Sequence, residues 1–194
     1  SDAAYFSKVT ASPIVSTQQK DYGAEQIIYG THTSDDAGQG GWGGYMDFNG
    51  DGTRMVIGMG AYPVPGSWDG RAGVFHLESG TWTQKVDIPS PNQSTGQRFG
   101  DSVCMSEDGT RIAVNHYAQS SGTNSEVHIY DYASGSWPTT PTKTISCQNN
   151  SGTGDMDMNK AGTVIITGAG TEGTTHKAHI YTRDSGTGNW SLTK

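Results

Sequence analysis

Asp47, Asn49 and Asp51 stand at alternate positions of the stretch DFNGDGTRMVIG, and Gly52 follows them directly. Calcium takes oxygen ligands from alternate positions of a loop whose glycine allows a sharp turn. These three side chains, with the Thr53 carbonyl as a fourth ligand, therefore form the opening of a calcium loop. The same residues also suit a tight turn between two strands, in which short polar side chains bond the backbone. The sequence leaves two cofactor expectations, none or Ca2+.

Other residue types offer less. His128 and His179 occupy equivalent places before an Ile-Tyr pair, which reads as solvent-facing positions on a strand. Zinc needs three or four converging ligands, and neither an H-x-x-x-H pattern nor a paired-cysteine pattern occurs. No G-x-S-x-G elbow, HExxH helix or phosphate-cradling loop is present. GAGTEG, Gly168 to Gly173, follows a strand but no helix pattern follows it, so it reads as a loop. These absences lead to the expectation that the chain is not an enzyme. Aromatic residues give a candidate binding rim. Tyr62 and Trp68 lie in GAYPVPGSWDG, and His116 and Tyr117 open the equivalent loop HYAQSSGTNS. Loops on one rim of a rigid scaffold commonly carry binding residues.

Elements that could hold such residues appear as a repeat. The turn glycines Gly52, Gly109 and Gly162 lie 57 and 53 residues apart. Trp82, Trp137 and Trp190, each ending a Tyr- or His-containing strand pattern and a Ser-Gly turn, lie 55 and 53 apart. Two independent markers share one period. In the second repeat the β-rich runs are Ser102–Ser106, Arg111–Asn115, Glu126–Tyr132 and about Thr139–Ile145, separated by Gly, Asn, Asp and Ser. The spacing predicts an all-β, propeller-like array of about three four-stranded antiparallel blades, covering roughly 42–98, 99–152 and 153–194. Residues 1–41 form an N-terminal segment whose AEQIIYG run could be a closing or exchanged strand. The array is then either incomplete or closed by that strand.

The second repeat, FGDSVCMSEDGTRIAVN followed by VHIYDYASGSW, resembles an FG-GAP-type blade of integrin-α-like propellers. The resemblance rests on Phe99-Gly100, Ser106 and Asp108-Gly109-Thr110, and extends over roughly Trp42 to Lys194. It implies a propeller fold and an extracellular or virion-surface setting. FG-GAP loops that bind calcium usually add an acidic ligand at the ninth position, which here is Met55. The second repeat places Cys104, Ser106 and Asp108 at the ligand positions and the third places Asp157, Asn159 and Ala161. Any metal would thus be a local addition to a structural turn.

Bulk properties narrow the class. A net charge of −7 with scattered Lys and Arg argues against nucleic acid. No run of 18 apolar residues exists, so membrane insertion is not expected. The chain starts at Ser1, which reads as a processed or excised segment. Cys104 and Cys147 are the two cysteines, able to pair in an oxidising compartment or to remain thiols. Asn92, Asn149 and Asn189 head N-x-S sequons, glycosylated only in a secreted chain. The expected function is a non-enzymatic adhesion or surface-binding module for a cell-surface protein or glycan. The alternative is a structural subunit that joins copies of itself through open blade edges into a fibre or sheath. A propeller enzyme with a channel site is the weaker alternative.

Overall fold

The computed structural model describes residues 26, 28, 45–60, 63–64, 67–68, 70–91, 97–118, 125–147, 153–172 and 175–193. Regular structure among them is entirely β. The strands are β1 (Tyr45–Phe48), β2 (Arg54–Met59), β3 (Pro63–Val64), β4 (Ser67–Trp68), β5 (Arg71–Glu78), β6 (Thr81–Pro89), β7 (Gln97–Met105), β8 (Arg111–Ala118), β9 (Glu126–Asp131), β10 (Lys143–Ser146), β11 (Thr153–Met158), β12 (Val164–Glu172), β13 (Thr175–Arg183) and β14 (Trp190–Leu192). They form three four-stranded antiparallel sheets, ordered β1-β2-β5-β6, β7-β8-β9-β10 and β11-β12-β13-β14, plus the small β3-β4 hairpin. The first strand of each sheet lies beside the first strand of the next, as in a propeller hub.

Local chemistry explains the hairpins. In the first turn of each sheet one side-chain oxygen gathers backbone donors. Asn49 Oδ1 accepts from the Thr53 and Arg54 amides, and Asn159 Oδ1 from those of Thr163 and Val164. Asp108 Oδ1 does the same with the Thr110 amide and hydroxyl and the Ser106 hydroxyl. The Ser-Gly turns place both central residues at positive φ, 51° and 82° at Ser79-Gly80 and again at Ser134-Gly135. That is the mirror-image turn whose twist matches antiparallel strands.

In the first two repeats the arginine after the Gly-Thr pair ties one blade to the next. Arg54 Nη1 donates to the Gly109 carbonyl at 2.9 Å and Arg111 Nη1 to the Gly162 carbonyl at 2.6 Å. Arg111 also pairs with Asp131 through Nε at 2.6 Å. Arg111→Met is therefore expected to cost about 2 kcal/mol in denaturant unfolding, since it removes two charge-assisted bonds from a mostly buried group. Lys85→Met, at the more exposed pair with Glu78, is expected to cost about 0–1 kcal/mol. Equal losses would mean the blade-to-blade stitch adds nothing.

Two seams form the core. Val56, Ala72, Val74 and Ile88 of the first sheet meet Phe99, Val103, Met105, Ile112, Val114 and Tyr130 of the second. Cys104, Ala113, Val127, Ile129 and Ile145 meet Met156, Met158, Ile165 and Tyr181 across the second seam. The opposite face of the first sheet buries Met55, Ile57 and Phe75 beside Ile28 and Trp82, with the Gln26 side chain bonded to both backbone groups of Trp82. The pair Ile166–Ile180 occupies in the third sheet the place of Val56–Val74 and Ala113–Ile129. Those four residues are fully buried, whereas Ile166 is 43% exposed and Ile180 is half-buried. Among the described residues, no sheet covers the face of the third blade that its neighbours pack away.

Candidate functional site

The strongest convergence of reactive side chains lies on the middle strands of the second sheet. Glu126 and His128 stand at alternate positions of β9, so their side chains leave the same face. His116 on β8 is the direct cross-strand partner of Glu126, and Val114 that of His128. All three point toward the first seam, the side that holds Tyr130 and Phe99. The Phe99 ring packs against both imidazoles, with centroids 6.3 Å from His116 and 5.8 Å from His128.

Both histidines are 2% exposed, and the Glu126 side chain is 26% exposed. Glu126 Oε2 lies 3.3 Å from His128 Nε2 and 3.7 Å from His116 Nδ1. The ligand-type atoms of the three residues all fall within 4.8 Å of one another. His116 Nε2 has no hydrogen-bond partner, and His116 Nδ1 and His128 Nε2 face the Glu126 carboxylate without a well-formed hydrogen bond. His128 Nδ1 lies 3.2 Å from Thr144 Oγ1 on β10. Burial pushes the His128 imidazole down to about 4, with the neighbouring His116 adding to the effect. Burial also lowers His116, against the opposing pull of the Glu126 carboxylate. Both rings are therefore neutral at pH 7, and their unprotonated nitrogens keep free lone pairs. The arrangement can accept a Lewis acid, or a proton at some cost.

The residues singled out from sequence fare unevenly. His116, expected on an exposed binding rim, is buried, and His128, expected to face solvent, is buried beside it. The reason is that both faces of a central blade are covered by neighbours. Tyr117 is half-buried. Tyr62, Asn92 and Asn149 lie outside the described residues, as does the Trp68 side chain. Asn189 is exposed, and its Oδ1 accepts from Lys143 Nζ at 2.9 Å. Trp137 is buried in the first seam and donates from Nε1 to His76 Nε2, while Trp82 and Trp190 are partly buried at the other two clusters. Gly52, Gly109 and Gly162 occupy turns with φ of 71°, 66° and 65°. Cys104 and Cys147 are buried free thiols.

The calcium opening is used differently. Asp47 Oδ2 accepts from the Met105 amide of the next sheet at 2.8 Å, and its Oδ1 from the Phe48 amide. Asn49 holds its own turn, and Asp51 Oδ1 accepts from the Thr53 amide and hydroxyl. These oxygens serve backbone donors, which gives the turn reading its physical basis. Glu126 was not singled out from sequence. The signal for it is Glu-x-His on one strand with a second histidine ten residues earlier, across the hairpin.

No family model and no curated protein matches the chain. Among solved structures the chain is similar to the periplasmic gluconolactonase of Pseudomonas aeruginosa, with TM-score 0.51 and 16% identity over 71% of this chain and 38% of that one. It is also similar to a hypothetical selenium-binding protein from Sulfolobus tokodaii, with TM-score 0.48 and 12% identity over 72% and 37%. A third is TolB from Acinetobacter baumannii, with TM-score 0.42 and 14% identity over 76% and 31%. The chain spans less than two fifths of the length of each. The FG-GAP type is not among these, so the coarser class, a β-propeller-like protein, is what stands. The expectation that the chain is not an enzyme is corrected here: the first of these structures is an enzyme, and a fold that hosts catalysis gives no ground for excluding it. At these identities the likeness is one of fold alone: among the described residues, an all-β array of three propeller-type blades.

Proposed function

We propose that the chain is a self-associating propeller module, which docks the uncovered face of its third blade onto a second copy. The observation that carries this is the exposure of Ile166 and Ile180 at positions whose counterparts in the other two blades are fully buried. The face sets Val164, Ile166, Ala178 and Ile180 beside Asp157 and Thr182, an apolar centre with a polar edge. Val164 replaces the arginine that stitches one blade to the next, so the docked sheet is held by apolar contact rather than by that stitch. Binding of a cell-surface protein or glycan rested on rim aromatics and on His116, and the burial of His116 removes one of its anchors.

Light scattering on size-exclusion fractions tests the proposal. The chain is expected to run as a dimer or higher species whose share grows with concentration. Ile166→Asp, at an exposed position that the monomer tolerates, is expected to run as a folded monomer. A parent chain that stays monomeric over the whole concentration range would overturn the reading.

A further inference from the structure

We propose that His116, Glu126 and His128 form a binding site for one divalent transition-metal ion of the zinc class. The ion would be held by two imidazole nitrogens and a carboxylate oxygen, with a fourth position open toward solvent beside Glu126. The site lies within a single chain, so the proposal is independent of the self-association argued above.

The donor set comes first. Two neutral imidazoles and one carboxylate suit zinc and its neighbours, whereas calcium and magnesium prefer all-oxygen shells. Geometry follows. Donors placed tetrahedrally at about 2.0–2.2 Å from a zinc ion sit roughly 3.3–3.6 Å apart. Two of the three edges already approach this, at 3.3 Å from Glu126 to His128 and 3.7 Å from Glu126 to His116. The third edge, between the rings, lies within 4.8 Å, so binding an ion would draw the two rings together.

An independent observation points to the same ligand. Three ring nitrogens of two almost fully buried histidines lack a well-formed hydrogen bond, two of them facing only the Glu126 carboxylate at 3.3 and 3.7 Å. Unpaired polar atoms in an apolar seam are costly, and a seam that needed only filling would be better served by Leu or Phe. The remaining nitrogen is placed as metal-binding histidines usually place theirs. His128 Nδ1 faces Thr144 Oγ1 at 3.2 Å, and in the tautomer whose Nδ1–H donates to that hydroxyl the Nε2 lone pair is free. Phe99 walls the inner side of the rings, and the part-exposed Glu126 gives the ion a route in.

The test uses the full chain, stripped with a chelator and titrated with Zn2+ and, separately, Co2+. One ion per chain is expected, with a raised melting temperature for zinc and the strong visible bands of four-coordinate Co2+. Thr144→Val, which removes only the outer partner, is expected to weaken zinc about 10- to 100-fold. Glu126→Gln and His128→Gln are expected to weaken it further. Glu126→Gln alters a part-exposed side chain, so it keeps the test informative where a histidine variant fails to fold. Absence of zinc binding by the folded parent chain overturns the proposal. So does binding that survives both Glu126→Gln and Thr144→Val unchanged, which would place the ion elsewhere.

Discussion

Gly100→Ala is expected to loosen the contact between the first two sheets and to lower the denaturation midpoint of the chain sharply. Gly100 has φ +91°, a conformation that L side chains rarely adopt. Strain alone would cost about 1–2 kcal/mol. The larger effect is steric. A Cβ at Gly100 would sit 3.0 Å from the Met59 amide nitrogen and would collide with the Arg71 carbonyl oxygen. Both are backbone atoms of the first sheet and cannot swing aside as a flexible side chain would. The neighbouring contacts are equally close. A Cβ on Gly58 would strike the Gly100 carbonyl, and one on Gly70 would strike the backbone of Phe99, its bridge partner. The seam is therefore a backbone-to-backbone approach, and opening it exposes Phe99, Val103 and Val74 together. Against a typical total of about 5–15 kcal/mol, a loss of roughly 4 kcal/mol or more is large. Gly80→Ala is the control. Its φ is +82°, but nothing lies within 4 Å of the added carbon. Its loss is expected to stay near the strain cost alone. Denaturant melts of the two variants decide the matter, and similar midpoints would show that close approach contributes nothing.

This steric role also explains the Phe-Gly pair that drew the sequence comparison with FG-GAP blades. The strands, their antiparallel order and the two hairpin types were legible, because each depends on neighbours in the chain. Turn glycines, Ser-Gly pairs and alternating β-branched residues carry that information locally. The outer strand of the third repeat is the three-residue β14. What was not legible depends on which sheet comes next. Alternation places His116, Glu126 and His128 on one face, but in a blade covered on both sides neither face is the polar one. Their burial is set by Phe99 and the first sheet, which the local pattern does not name. The same limit applies to Asp47. Its spacing to Asn49 and Asp51 is that of a calcium loop, yet one of its oxygens is held by the Met105 amide, 58 residues away. Ile166 is the converse case. It matches Val56 in repeat position, and only the absence of a covering sheet among the described residues makes it exposed.

Lowering the pH of the chelator-treated chain from 6.5 toward 4 is expected to reduce its unfolding free energy by up to about 3 kcal/mol, the equivalent of His128's shift from 6.5 to about 4. The sign follows from proton counting. The folded imidazole sits below its unfolded value, so the unfolded chain takes up the proton first. Stability is then intact above pH 6.5 and is lost as pH falls through the window to about 4. The facing groups modify the size and not the direction. Burial is the largest cause and His116 across the hairpin adds to it, while the Glu126 carboxylate opposes the lowering of His116. His116 and His76 are both lowered by burial and contribute with the same sign, so the wild-type slope is a sum. His128→Gln, which keeps a polar side chain of similar reach to Thr144, is expected to remove the largest share of that slope. His76→Gln is expected to remove a smaller one. Chemical denaturation at intervals between pH 7 and pH 4 reads the result directly. A flat profile would mean that the two rings are hydrated or already charged in the folded chain. It would also deny the seam the free lone pairs that a metal ion requires, so the titration and the zinc binding stand on the same buried pair and can be checked against each other.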